Sequence, residues 1–160
     1  VGAAAGETDD MTKRGSGMDP PDPAVQRRMK SQRRRDTEPE IRLRSELWRR
    51  GLRFRVDHKV VGPRRRVDIA FTRAMVAVFV DGCFWHQCPE HGTMPRANHD
   101  WWVEKFAANK SRDVATDQEL RASGWEVIRV WEHEDPSIAA DAIELAVRDG
   151  RSGRGHDIDV

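Results

Sequence analysis

The run MVAVFV at residues 75–80 is apolar throughout, and it limits this chain to few architectures. A strand covered on one face alternates apolar and polar residues, whereas one covered on both reads as a continuous hydrophobic run. The run therefore predicts a central strand sandwiched between two layers, and those layers must be helices from elsewhere in the chain. VDIAF at 67–71 and WEVIRVWEH at 125–133 read as neighbouring strands. LRFRVDHKVV, with Leu52, Phe54 and Val56 alternating with polar residues, reads as a further strand, joined to VDIAF by a turn around GPRR. A first helix is predicted from TEPE at 37–40, where Thr37 is the N-cap, Glu40 completes a capping box and Pro39 is tolerated in the first turn. Leu43, Leu47 and Trp48 then recur at helical spacing, Glu40 lies one turn before Leu43 near the core face, and Gly51 closes the helix. A long helix over DWWVEKFAANKSRDVATDQELRASG ends at Gly124, and a short one covers about 136–148. The order α-β-β-β-α-β-α predicts an α/β fold, with a mixed central sheet flanked by helices. No internal repeat is visible.

With 160 residues, one domain with tails is expected. Residues 1–26 are rich in Gly, Ala, Asp and Pro and read as a disordered leader. The folded domain is expected over 27–149, and a loose tail over 150–160. Val1 as first residue fits a fragment or a non-standard start codon, with Met11 and Met18 as alternative starts. Lys plus Arg (28) nearly balance Asp plus Glu (27), so the distribution of charge says more than its total. Six cations and no acid lie in RRMKSQRRR, namely Arg27, Arg28, Lys30, Arg33, Arg34 and Arg35. Such a run is a candidate nucleic-acid arm (27–36), and equally the composition of a solvated tail. No apolar stretch reaches the ~18 residues of a membrane span, and no secretory hydrophobic core is visible. The two cysteines then point to a metal or thiol role in a reducing cytoplasm, not to a disulfide framework.

Both cysteines lie in DGCFWHQCPEHG, residues 81–92. Cys83, Cys88 and His91 form C-x₄-C-x₂-H, and thiolates with imidazole suit Zn²⁺, whose structural sites close with four ligands. His58, His86, His99 and His133 are the candidates for the fourth, and His86 would make the site local. Two buried cysteines beside unrelated histidines is the competing reading. Several acids invite a catalytic interpretation. Asp68 interrupts an otherwise apolar strand, which is costly unless it is paired or binds a metal. Asp81 and His86 lie at the end of the next strand, Asp113 on the long helix, and Glu40 on the first. Carboxylate-held Mg²⁺ with a histidine base is a standard way to hydrolyse phosphodiesters, although such acids more often serve as caps and surface pairs.

Five separated segments, RRMKSQRRRDTEPEIRLRSEL, RVDIAF, VFVDGCFWHQCPEHG, WWVEKFAANKSRD and GWEVIRVWEHE, occur in the order and spacing of one family. Over residues 27 to 135 the chain resembles the very short patch repair (Vsr) endonucleases. The resemblance implies a restriction-endonuclease-like fold and nicking of one DNA strand beside the thymine of a T:G mismatch, with catalytic Mg²⁺ and structural Zn²⁺. It implies Asp68 as the Mg²⁺ ligand, His86 as the catalytic histidine, and Glu40 and Asp113 as the acids completing the site. Zn²⁺ would take Cys83, Cys88, His91 and His133, which leaves His86 for chemistry. Double-stranded DNA is the implied partner, with mismatch-repair proteins as possible associates, for a monomer that joins the nucleoid when bound to DNA.

The chain also departs from the pattern. Val80 and Asp81 stand where some relatives carry a threonine-histidine pair. Val80 keeps a main-chain carbonyl for Mg²⁺, and Asp81 either adds a ligand or occupies the missing histidine's position. The resemblance places Phe84, Trp85 and Trp102 in a wedge that enters base steps, where a mismatch is least costly to unstack. Trp48, Trp125 and Trp131 read as core residues by their spacing, and Trp101 fits either role. Two rivals remain: a restriction-type or defence nickase that reads another mismatch or modified site, and a catalytically silent zinc module that binds DNA structure.

Overall fold

Alternation within an apolar run decides how the two layers form. The computed structural model describes residues 21–24, 27, 35–60 and 66–153. Their elements are α1 (Glu38–Arg49), β1 (Arg55–Lys59), β2 (Arg66–Phe71), β3 (Val76–Asp81), α2 (His99–Ala122), β4 (Glu126–Trp131) and α3 (Pro136–Ser152). The sheet order is β1-β2-β3-β4. β1, β2 and β3 form antiparallel pairs, and β4 runs parallel to β3 from Val76↔Glu126 to Asp81↔Trp131. A parallel pair needs a crossover, and α2 provides it. The sheet is therefore mixed, as expected, with β3 inside it.

β3 sends Val76 and Val78 into one layer, with Ile69, Phe71 and Val130, against Leu43 and Leu47 of α1 and Ile143 and Val147 of α3. It sends Ala77 into the other, with Ala70 and Leu120 of α2, bordered by Phe79, Trp125 and Val127. Each fully buried Val, Leu or Ile contributes roughly 1.5–3 kcal/mol. A charge at Val78, fully buried at the centre, would break the first layer.

Several expectations need correction. Trp48 is 58% exposed, with the Arg53 guanidinium 3.8 Å above its ring. Its position next to Leu47 takes it off the buried stripe. Of the other tryptophans read as core, Trp125 borders the second layer, and both Trp125 and Trp131 are half-buried. β1 begins only at Arg55, and Val56 is exposed because β1 is an edge strand. Asp57 leaves the regular ladder at φ 48. Thr37 precedes α1 without a side-chain cap; its hydroxyl instead donates to Glu40, whose other oxygen accepts from the Asp36 N–H. α3 continues through Ser152, beyond the expected end near 148, with Asp135 capping Ser137 and Ile138. Gly124 ends the long helix at φ 81, as its lack of a Cβ allows. Arg28, Lys30, Arg33, Arg34, the GPRR turn, most of the leader and residues 154–160 lie outside the described residues.

Candidate functional site

The β2–β3 ladder runs from Phe71↔Val76 to Ile69↔Val78, and Asp68 lies just past its end. There the Asp68 carboxylate accepts the Val80 N–H at 2.8 Å, so a side chain takes over where the backbone ladder stops. Burial raises the Asp68 pKa to about 6; the Val80 hydrogen bond opposes this, and the charges of Glu40 and Asp81 add to it. Glu40 is 5% exposed, at the core face of α1 as expected. A half-buried carboxylate whose neighbours are also acids is a poor place for an anion alone and a favourable one for a divalent cation. The donor set, with hard carboxylate oxygens beside the main chain of Val80, fits Mg²⁺ by chemistry.

Beyond β3, His86 turns toward α2. Its Nδ1 lies 2.6 Å from Asp113 Oδ2 and 3.8 Å from Asp81 Oδ1. A carboxylate on Nδ1 fixes the ring and leaves Nε2 as the free nitrogen. Asp81 is 6% exposed, and both its oxygens accept from Arg129 Nη1 at 2.9 and 2.8 Å. Arg129 also donates to Asp117 through Nε and Nη2. Burial opposes its charge, but hydrogen bonds to Asp117 and Asp81 outweigh this and raise its pKa. The structure thus brings together Glu40, Asp68, Val80, Asp81, His86 and Asp113, with Arg129 and Asp117 added.

On the neighbouring corner, ligand atoms of Cys83, Cys88, His91 and His133 all lie within 4.8 Å of one another. Tetrahedral Zn–S and Zn–N bonds place ligands about 3.3–3.8 Å apart; His133 Nδ1 lies 3.7 Å from Cys88 Sγ and 3.0 Å from Cys83 Sγ. Burial, the Cys88 sulfur and the Glu132 carboxylate push the Cys83 thiol up to about 11. Both thiols are buried and unpaired with each other. This donor set is compatible with zinc, and His86 stands outside it. Gly92 makes the loop possible, because a Cβ there would lie 2.5 Å from the Cys88 carbonyl oxygen.

The aromatics pack edge to face: Phe84 against Trp85, Trp102 and Phe106 at ring separations of 5.1, 5.3 and 5.4 Å. Trp102 is only 4% exposed, so it anchors the cluster instead of standing out as a wedge. The half-buried members are Phe84, Trp85 and Trp101. Within the arm, Arg27 is exposed, and Arg35 pairs with Asp57 at 2.7 Å.

Comparison with known proteins decides the family. Residues 18–90 match the family model described as DNA mismatch endonuclease Vsr. The type II nicking enzyme V.NaeI of Lentzea aerocolonigenes is 45% identical over 120 residues, covering 73% of this chain and 72% of the relative. The chain belongs to the Vsr family. It is a DNA endonuclease of that family, whose members imply a restriction-endonuclease-like fold. The type II nicking enzyme V.NmeAIP of Neisseria meningitidis serogroup A is 36% identical over 120 residues, covering 72% of this chain and 83% of that one. The DNA mismatch endonuclease Vsr of Escherichia coli K12 is 37% identical over 102 residues, covering 61% and 62%. The Vsr model match includes Glu40, Asp68, His86, Cys83 and Cys88 but ends before His91, Asp113 and His133.

Sequence reasoning missed Arg129, Asp117 and Asn109. A lone cation in EVIRVW was the available signal, since a buried charge demands a partner. Asn109 and Asp113 share the stripe of Trp102, Phe106 and Leu120 on α2. The Asn109 amide donates to the Trp85 carbonyl at 3.0 Å, fixing the aromatic loop to the helix.

Proposed function

We propose that this chain nicks one strand of double-stranded DNA beside a T:G mismatch, using Mg²⁺, with Zn²⁺ as a structural ion. The observation that carries the reading is the His86–Asp113 pair, 2.6 Å apart, at the same sheet end as the half-buried Asp68. Asp68 and the Val80 carbonyl would hold Mg²⁺, with Glu40 as a further acid. Bound there, Mg²⁺ supplies charge stabilisation at the scissile phosphate. Asp113 keeps the His86 ring oriented through Nδ1, so Nε2 takes a proton from water or returns one late in the reaction. Asp81 stays with Arg129. Cys83, Cys88, His91 and His133 would hold Zn²⁺ and fix the loop that carries His86.

Phe84 and Trp85 are half-buried members of the aromatic cluster and would press into the mismatched step, backed by Trp102. The basic arm, Arg27, Arg28, Lys30, Arg33, Arg34 and Arg35, would hold phosphates. The setting would be the cytoplasm, on chromosomal DNA. A second reading has support of its own: V.NaeI and V.NmeAIP are named type II nicking enzymes, which favours a restriction-linked nickase that reads a different mismatch or modified site. Labelled duplexes carrying T:G, the other mismatches or none, with and without Mg²⁺, separate the readings. Nicking confined to T:G supports the first; preference for another site supports the second; no nicking of any duplex overturns both.

A further inference from the structure

Arg129 is the cation at the centre of the acids around His86. Its Nη1 occupies both oxygens of Asp81, while Nε and Nη2 grip Asp117 at 2.9–3.2 Å. Its Nη2 is also 3.7 Å from Asp113 Oδ1. The guanidinium rests 4.6 Å from the Phe79 ring centroid. A planar group held on two edges and one face cannot turn away from Asp81. His86 Nδ1 has two carboxylates near it, Asp113 at 2.6 Å and Asp81 at 3.8 Å, and only one ring hydrogen to give. Whichever acid receives it sets the direction of Nε2.

We propose that Arg129 is a positioning residue that keeps the Asp81 carboxylate occupied, so that His86 pairs through Nδ1 with Asp113 alone. The proposal rests on the nicking chemistry proposed above. It assigns Asp81 a different part from that of a metal ligand: Asp81 is a buried acid kept away from the imidazole by a partner that does not deprotonate. Asp117 acts as the strut that aims the guanidinium.

The test uses the full chain with its metals. In Arg129→Gln, the freed Asp81 competes for the His86 ring, and displacement of a catalytic group by about 1 Å costs on the order of 10²-fold. Single-turnover kcat per folded enzyme should fall by about that factor, with DNA affinity unchanged. Replacing Asp81 as well, in Asp81→Asn/Arg129→Gln, removes the competitor and should restore kcat to within about threefold of wild type. A purely structural role predicts instead that loss of Arg129 is not repaired in kcat per folded enzyme. A second readout needs no turnover. The His86 ring N–H resonance, identified by its loss in His86→Gln, should shift in Arg129→Gln and return in the double variant. If Arg129→Gln does not fold, Arg129→Lys serves, since one ammonium cannot span Asp81 and Asp117. It should lose on the order of tenfold in kcat, with Asp81→Asn restoring it. Unchanged kcat and resonance in the folded variant, or no recovery on removing Asp81, overturns the proposal. Absence of nicking by wild type removes the proposed function, while the resonance comparison still decides the geometry.

Discussion

Replacing Asp68 with asparagine should disable the enzyme and stabilise its Mg²⁺-free form. Asparagine keeps a carbonyl oxygen for the Val80 N–H, so the bond at the end of the β2–β3 ladder survives. What it removes is a half-buried negative charge next to Glu40 and Asp81. The Asp68 pKa rises from 3.8 to about 6 in the fold, and a pH unit corresponds to ~1.36 kcal/mol, which gives about 3 kcal/mol. Asp68 is half-buried, so solvent screens part of this, and a gain of about 1–3 kcal/mol is expected. The folded pKa lies above the unfolded one, so the folded state holds the proton more tightly. The penalty is therefore absent below 3.8, grows between 3.8 and about 6, and is complete above that range. Denaturation in Mg²⁺-free buffer with zinc left in place should show Asp68→Asn more stable than wild type at pH 8 and equal to it near pH 4. At roughly 2–4 °C per kcal/mol for a chain of this size, Tm should rise by about 2–12 °C. Mg²⁺ should stabilise wild type at pH 8 and not the variant, because binding to the native state alone adds stability. Nicking should be lost. A variant no more stable at pH 8, or stabilised equally at pH 4 and pH 8, refutes the charge argument.

Three further outcomes are expected. His86→Ala should slow nicking by roughly 10²–10⁴-fold and keep one zinc per chain by metal analysis, whereas Cys88→Ala should lose the zinc; the reverse pattern would reassign the ligands. Gly92→Ala, which drives a Cβ to 2.5 Å from the Cys88 carbonyl oxygen, should weaken zinc binding by about 10–100-fold at ~1–3 kcal/mol of overpacking, measured by competition with a chromophoric chelator. Trp85→Ala should reduce nicking of T:G duplexes by about 10–100-fold, since unstacking a step costs a few kcal/mol, while salt-sensitive binding through the arm persists. Loss of both together would remove the wedge.

Sequence pattern revealed the layers because they depend on local periodicity. The continuous run of β3, the glycine-ended helices, and the cysteine spacing each report on neighbours in sequence. The zinc-compatible ligands are legible for the same reason, apart from His133, which joins from beyond β4. The contacts around His86 depend on registers between distant segments. Arg129 reaches Asp81 across 48 positions of sequence, and nothing within EVIRVW specifies which acid it meets. Trp48 shows the converse error. Its neighbour Leu47 is buried, and hydrophobicity alone does not tell which of two adjacent apolar residues faces inward. Trp102 was legible as an aromatic of the site but not as a buried one, because Phe106 covers it from the same helix while Phe84 and Trp85 reach it from a distant loop.

Cys83 and His133 come from the ends of two parallel neighbours, 50 positions apart in the chain. A metal held between them ties off the whole crossover, α2 included, as a clasp does a necklace. Closing a loop of that length removes about 4 kcal/mol of freedom from the unfolded chain, taking cross-link entropy as the guide. The layer of Leu43, Leu47, Ile143 and Val147 lies outside the clasped segment, and Asp68 lies outside it too, whereas His86 and Asp113 lie within. Failure on metal loss should therefore follow an order. The imidazole and its partner lose their alignment first, while the hydrophobic layer still holds the sheet closed. With Mg²⁺ kept in excess, a zinc-selective chelator should stop nicking well before hydrogen exchange opens the amides of α1 and α3, and simultaneous loss would show that the clasp supports the entire domain.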